Sequence, residues 1–269
     1  RLHAGSRTQR GPEYANECMQ SNSCGQTGIM AGMIDMTLRE QVAQANADLV
    51  RAGLVTLSFG NVSGVDRAAN ALVIKPSGVP CDKVQPEDLV VVSLEDGRVL
   101  EGTMRPSSDT PTHLRLYQAF PALGGVVHTH STNAAAWAQA GRDIPALGTT
   151  HADHFRGAVP TSRLMTEAEI EGEYELETGN VIIETIRDRT DDALRMPAVL
   201  VRSHGPFTWG RDADAAVVNA IALEAVAAMA QLTYAIDPDA PDIQEALLRR
   251  HFDRKHGPGA YYGQPGDRH

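Results

Sequence analysis

The chain is short of positive charge. Its 24 Lys and Arg stand against 34 Asp and Glu, a formal charge of −10 with a pI near 5.4. That balance argues against a nucleic-acid or anionic-membrane partner, and a phosphorylated small molecule would have to be met by local positive charge. No uninterrupted run approaches the ~18 apolar residues of a membrane span, and the N-terminus has no apolar signal core. Cysteine is scarce: Cys18, Cys24 and Cys81 are odd in number and lack CxxC spacing, so neither a disulfide framework nor a zinc finger is indicated. Reduced thiols and a cytoplasmic location are the expectation. There is no tidy βαβ alternation with a G-x-G-x-x-G turn, so a dinucleotide fold is not indicated. There is no internal repeat. Aromatic residues are few, at 5%, but that share and the 22% of charged residues are ordinary for a globular protein.

What is present is a chain of 269 residues with 42% hydrophobic content, enough for a well-filled core. Residues 1–33 lack periodicity and read as a disordered extension, an expression leader or an overlong start, with Met33 or Met36 as candidate first residue; an ordered N-terminal arm is the alternative. Residues 34–269 read as one domain. Thr37 to Glu40 matches a capping box, and Leu38, Val42, Ala45 and Leu49 follow at helical spacing up to Gly53. Thr56 to Ser63 alternates like a strand broken at Gly60. Strands are expected at Ala71–Lys75 and Asp88–Leu94, the latter returning through Glu95-Asp96-Gly97 as a hairpin. Asp109 before Thr110-Pro111 marks a helix start, and further helices are expected at Ser131–Ala140, Ala168–Arg187, Asp212–Tyr234 and Ile243–Arg254. Gly179-Asn180 is a possible break within 168–187, and Thr149–Phe155 reads as a polar loop. Ala198–Val201 is a buried strand. The predicted fold is α/β, with a central antiparallel or mixed sheet flanked by helices on both faces.

Val126-Val127 is a short buried strand leading into His128-Thr129-His130. Residues two apart on a strand share a face, so both imidazoles would point to one spot. A lone His-X-His is often only a polar strand end. His204, at the end of the 198–201 strand, would make a third nitrogen ligand if those strand ends meet; the alternative is a histidine that caps or stabilises the following Gly-Pro turn. Three histidines with an open position are the ligand set of a catalytic divalent metal. Asp109 is either a helix cap, an added carboxylate for the metal or a catalytic base. Lys75 with Ser77 and Gly78, Ser107 and Ser108 before a helix, and Asn61 together resemble a phosphate cradle, though each alone is a turn residue. Asp153 and Tyr262 are candidate acid/base groups, or else a loop carboxylate and a surface tyrosine.

These residues fall into ordered motifs: Ser58-Phe59-Gly60-Asn61-Val62-Ser63, Lys75-Pro76-Ser77-Gly78, Ser107 through His113, and Val127 through Ser131. Gly148 through Asp153, Ser203 through Phe207, Arg254 through Gly257 and Ala260 through Gln264 follow. The set resembles the class II aldolase/adducin family over about residues 34–264, and within it the L-ribulose-5-phosphate 4-epimerases. The resemblance implies one zinc per subunit (or manganese or another divalent ion) on His128, His130 and His204, with Asp109 close by. It implies a phosphate pocket at Asn61, Lys75, Ser77, Gly78, Ser107 and Ser108. It implies an acid/base pair, Asp153 and Tyr262, drawn from two adjoining subunits of a homotetramer, with Thr149 and Arg254 reaching the site at that boundary. Related fuculose-phosphate aldolases place Glu where Asp109 stands. His154 departs from the Tyr found after His-Ala-Asp in the epimerases, so substrate preference or pH dependence could differ.

The implied reaction interconverts L-ribulose 5-phosphate and D-xylulose 5-phosphate. The C4 hydrogen is not acidic with the carbonyl at C2, so inversion by proton abstraction is poor chemistry. Cleavage and re-formation of C3–C4, with a metal stabilising the enediolate, solves the problem. A zinc aldolase that releases its fragments and a non-catalytic, adducin-like interaction module are the competing readings.

Overall fold

Val42, Ala45 and Leu49 are fully buried on one stripe of α1 (Met36–Arg51). The computed structural model describes residues 34–262. The expected extension at 1–33, with Cys18 and Cys24, and the Gly263-Gln264 end of the last motif lie outside the described residues. The cap of α1 is Asp35, whose side chain accepts from the Thr37 N–H at 3.0 Å. The expected Thr37/Glu40 capping box is therefore not used: two residues of N-terminal extension let a carboxylate take the orphan donor.

Seven strands follow: β1 (Asn61–Asp66), β2 (Ala71–Ile74), β3 (Val90–Ser93), β4 (Val99–Glu101), β5 (Gly125–His128), β6 (Ala198–Val201) and β7 (Gly205–Gly210). They form one sheet in the order β4-β3-β2-β1-β5-β7-β6, and every named pair is antiparallel. The 95–97 turn makes the β3–β4 hairpin as expected. The expected strand from Thr56 starts only at Asn61, because Leu57 and Gly60 take positive φ. Strand β7 is unexpected: Gly205-Pro206 reads as a turn, and proline rarely sits inside a sheet. Here Pro206 serves through its carbonyl, which accepts the Thr129 N–H at 3.3 Å.

The remaining helices are α2 (Thr110–Ala119), α3 (Thr132–Ala140), α4 (Thr149–Ala152), α5 (Glu167–Glu171), α6 (Tyr174–Arg187), α7 (Ala213–Ile236) and α8 (Glu245–His256). The expected polar loop at 149–155 thus contains a short helix. The break within 168–187 falls at Gly172-Glu173, while Gly179 is buried inside α6, where an added Cβ would meet Arg115 Cβ at 2.8 Å.

Alternate strand residues divide between two cores. Leu72, Ile74, Val90, Val92 and Val126 face α2, α3, α6 and the later turns of α7. Ala71, Val73, Val91 and Val127 face α1 and the first turns of α7. This is the period of two written into Val126-Val127, and each such large side chain contributes roughly 1.5–3 kcal/mol. The 24-residue α7 is long and apolar enough to cross a membrane, which counting uninterrupted apolar residues misses. Its buried Ala216, Ala220, Leu223 and Ala227 make it the helix that both cores share.

Candidate active site

Several strand ends coincide at one edge of the sheet. Asn61 at the start of β1 pairs with His128 at the end of β5, and His128 pairs with Phe207 on β7. Ser63 pairs with Ile74, so the loop that leaves β2 with Lys75 departs from the same edge. The β6–β7 turn delivers His204. Asn46, fully buried on α1, steadies this edge by accepting the Val62 N–H at 3.0 Å. Gly60, at φ 116°, lets the chain pass so close that a Cβ would lie 2.8 Å from the His128 carbonyl oxygen.

The three imidazoles converge. Ring centroids of His128, His130 and His204 are 4.8–5.0 Å apart, and one nitrogen from each lies within 4.8 Å of the others. His128 is buried, and its Nδ1 donates to the Pro206 carbonyl at 3.0 Å, so its Nε2 carries the lone pair. That Nε2 lies 3.0 Å from His130 Nε2. Its ring stacks on Phe207 at 4.2 Å. Burial pushes His128 down to about 3, with His204 and His130 adding to the drop against the pull of Asp109; burial lowers His130 and His204 as well. All three are thereby held neutral, the ligating form. Converging imidazole nitrogens, one with its other nitrogen tied to a carbonyl, fit a divalent cation with a position left open.

Asp109 occupies the N-cap position of α2 but makes no cap bond. Its Oδ2 accepts from Asn61 Nδ2 at 2.6 Å. Burial pushes its carboxyl up, but His128, His113, the Asn61 amide and His204 outweigh burial and leave it below the usual range. The Asn61 amide also reaches Ser107 Oγ at 3.0 Å, while Asn61 Oδ1 is buried without a partner among the described residues. The two loops of the expected cradle are zipped together: the Ser107 N–H donates to Lys75 O and the Ser77 N–H to Arg105 O, both at 2.9 Å, and Pro76 bridges Pro106. Lys75 is 2% exposed, and its ammonium has one hydrogen bond among the described residues, to Pro76 O at 3.2 Å. Burial lowers its pKa, against Cys81 and Asp109. Ser77, Gly78 and Ser108 lie exposed on the same paired loops. A buried cation with spare donors, beside exposed hydroxyls, is an anion site.

Asp153, Arg254 and Tyr262 form a second group. Asp153 closes α4, and Arg254 of α8 grips its carboxylate through three contacts of 2.7–3.1 Å. His251 Nδ1 adds another at 3.0 Å. Burial raises the Asp153 carboxyl, but Arg254 and His251 outweigh it and keep it low. Tyr262 is half exposed and lays its ring 4.7 Å from the Arg254 guanidinium. Thr149 opens α4, and its carbonyl accepts the Asp153 N–H at 2.9 Å. Among the described residues no hydrogen bond or ring contact joins this group to His128, His130 or His204.

Three contributors went unnoticed in the sequence. Tyr174 places its hydroxyl 3.3 Å from His204 Nδ1. His251 lies one turn before Arg254, a spacing that could have flagged it. His113, one turn after Asp109, is fully buried, with Nδ1 2.7 Å from Ser63 Oγ. His154 is pushed down to about 4, chiefly by burial, so it is uncharged at neutral pH and adds no titration there.

Residues 40–231 match the model of the class II aldolase and adducin N-terminal domain. The L-ribulose-5-phosphate 4-epimerase UlaF of Salmonella paratyphi A is 56% identical over 227 residues, covering 84% of this chain and 98% of the relative. UlaF of Salmonella typhi matches equally. Among solved structures, an L-fuculose 1-phosphate aldolase superposes with a TM-score of 0.69 at 21% identity, over 82% of this chain and 96% of that one. YgbL of Klebsiella pneumoniae, titled a putative aldolase/epimerase/decarboxylase, gives 0.65 at 24% identity, over 81% and 99%. At these identities the structural likeness speaks for the fold.

Proposed function

The chain belongs to the class II aldolase and adducin family, and we propose that it interconverts L-ribulose 5-phosphate and D-xylulose 5-phosphate as a zinc-dependent 4-epimerase. The observation that carries this reading is the nitrogen triad at the same sheet edge as a row of hydrogen bonds from Asp109 through Asn61 and Ser107 to the Lys75 carbonyl, with the buried Lys75 ammonium bonded only to Pro76 O among the described residues. Identity to UlaF selects the epimerase among reactions of such a site. Residues 34–269 act as one catalytic domain, in the cytoplasm, within a homotetramer.

His128, His130 and His204 would hold the cation. Bound there, it supplies Lewis acidity toward the carbonyl end of the substrate. Lys75 and the hydroxyls of Ser77, Ser107 and Ser108 hold the phosphate at the other end, with Gly78 giving the backbone room. Asn61 fixes the Asp109 carboxylate beside the histidines. C3–C4 cleaves as the C4 hydroxyl loses its proton, leaving a three-carbon fragment and glycolaldehyde phosphate. The cradle keeps the latter while its aldehyde turns over its other face. Re-formation of C3–C4 then returns the proton to the C4 oxygen. Asp153 and Tyr262 serve the two faces, and Arg254 keeps Asp153 ionised and ready to accept. Asp153 and Tyr262 stand apart from the triad contacts within one chain. A site completed by a neighbouring subunit, with Thr149 and Arg254 at the boundary, accounts for that separation.

The test is incubation with L-ribulose 5-phosphate, with and without a chelator, while D-xylulose 5-phosphate is followed. Chelation is expected to stop turnover and zinc to restore it. Release of free glycolaldehyde phosphate without epimer would make the protein an aldolase instead. His128→Ala is expected to lose metal and activity together, and full activity in a metal-free His128→Ala protein would end the proposal.

A further inference from the structure

Each histidine of the triad must present one nitrogen and park the other. For His128 the parking partner is the Pro206 carbonyl, which can only accept. That contact decides the tautomer outright. His204 has no such carbonyl. It sits in the β6–β7 turn after Ser203, whose φ is 62°, and its own N–H closes the turn on Val201 O at 3.0 Å. Turn geometry fixes its backbone and leaves the ring to its neighbours.

The neighbour is Tyr174. Its hydroxyl lies 3.3 Å from His204 Nδ1, and the two rings stack at 6.2 Å and 30°. With Nδ1 on the phenol, Nε2 is left for the triad. We propose that Tyr174 is the positioning residue of His204, holding its ring so that Nε2 faces the metal. This rests on the triad being a metal site.

The surroundings of Tyr174 suit that role. It is the first residue of α6, and its carbonyl accepts from the buried Thr178 hydroxyl at 2.8 Å. The next residue, Glu175, takes the Thr112 hydroxyl of α2 on its carbonyl at 2.5 Å. Arg115 of α2 donates to Asn180 of α6 at 2.9 Å. Asp109 stands at the N-cap position of α2. One clamped helix pair therefore brings both the Asp109 carboxylate and the Tyr174 phenol to the site. A hydroxyl can accept from Nδ1–H or donate to a bare Nδ1. His204 is thus held less strictly than His128, and its hold is the one that a single oxygen atom can remove.

The experiment uses full-length protein. Zinc affinity is measured by competition with a chromophoric chelator, and the visible spectrum of the cobalt-substituted protein is recorded, for wild type, Tyr174→Phe and Tyr174→Leu. Loss of an outer partner of a ligating histidine weakens metal binding roughly 10- to 100-fold. Tyr174→Phe keeps the ring stack and is expected to fall in that range, with a changed cobalt spectrum and an unchanged melt of the metal-free protein. Tyr174→Leu is expected to bind at least as weakly. Wild-type affinity and spectrum in Tyr174→Phe would overturn the proposal. So would a loss confined to Tyr174→Leu, since the stack alone would then be responsible. A wild-type protein that takes up no metal would overturn the metal reading and this inference together; binding in wild type with no change in Tyr174→Phe would overturn the inference alone.

Discussion

Replacing Lys75 with Met should make the empty protein more stable and the working protein worse. The Lys75 side chain is 2% exposed, and its ammonium, which carries three donors, makes a single bond to Pro76 O among the described residues. Burying a poorly compensated charge is costly, and replacing buried charge with apolar side chains of similar volume has stabilised proteins by about 1–4 kcal/mol. Lys75→Met is expected to gain in that range in chelated, phosphate-free buffer, read as a higher urea midpoint. The gain should shrink as pH rises. The unfolded chain keeps this proton up to about pH 10.5, and the folded chain releases it earlier. Over that window the unfolded state binds more protons, so wild-type stability climbs with pH while that of the variant does not share the climb. In the presence of substrate the sign reverses. A hydrogen bond to a charged group contributes about 1.5–3 kcal/mol, so KM for the sugar phosphate should rise about 10- to 150-fold at 1.4 kcal/mol per factor of ten. A variant that is less stable when empty, or that keeps KM within about twofold, would refute the idea that Lys75 is a buried cation waiting for an anion.

Two further predictions concern the scaffold. Gly125→Ala on β5 drives a Cβ to within 2.3 Å of Asp212 O at the start of α7, so urea denaturation should show a loss of about 1–3 kcal/mol; an unchanged midpoint would mean that this strand–helix contact is looser than described. Arg254→Ala should lower stability most at neutral pH. Asp153 has a depressed folded pKa, so its stabilisation is complete above the unfolded value near 3.8 and is lost as pH falls through the folded value. The gap between wild type and variant should therefore close in acid, and a gap independent of pH would deny the pair its electrostatic part.

The elements carrying strong local signals were legible. Val126-Val127 announced a doubly buried strand, Asp212 and the apolar run after it announced α7, and Glu95-Asp96-Gly97 announced the β3–β4 hairpin. The misses have physical causes. β7 contains Gly205, Pro206 and Gly210, and its pairing is fixed by neighbours on both sides rather than by propensity. Asp109 carried the signature of a helix cap, but the Asn61 amide across the sheet edge outbid the helix for its carboxylate. The triad was legible as three residue types at two strand ends. That the ends meet depends on register, which no local pattern states. Tyr174 was invisible because its role arises from the docking of α6 on α2, and nothing in its own neighbourhood of sequence marks it.

The alignment of Asn61, His128 and Phe207 in one row across three strands has a consequence in time. His128 and its anchor Pro206 stand 78 residues apart in the chain, and a ribosome adding about 5–20 residues per second needs about 4–16 s to deliver the second after the first. Until β7 arrives and closes on β5, the chain carries two histidines with one unfixed tautomer and no third ligand. Metal held by the triad would then act as a clasp on this long-range pairing. Uptake of metal during synthesis would then report that β7 has closed on β5.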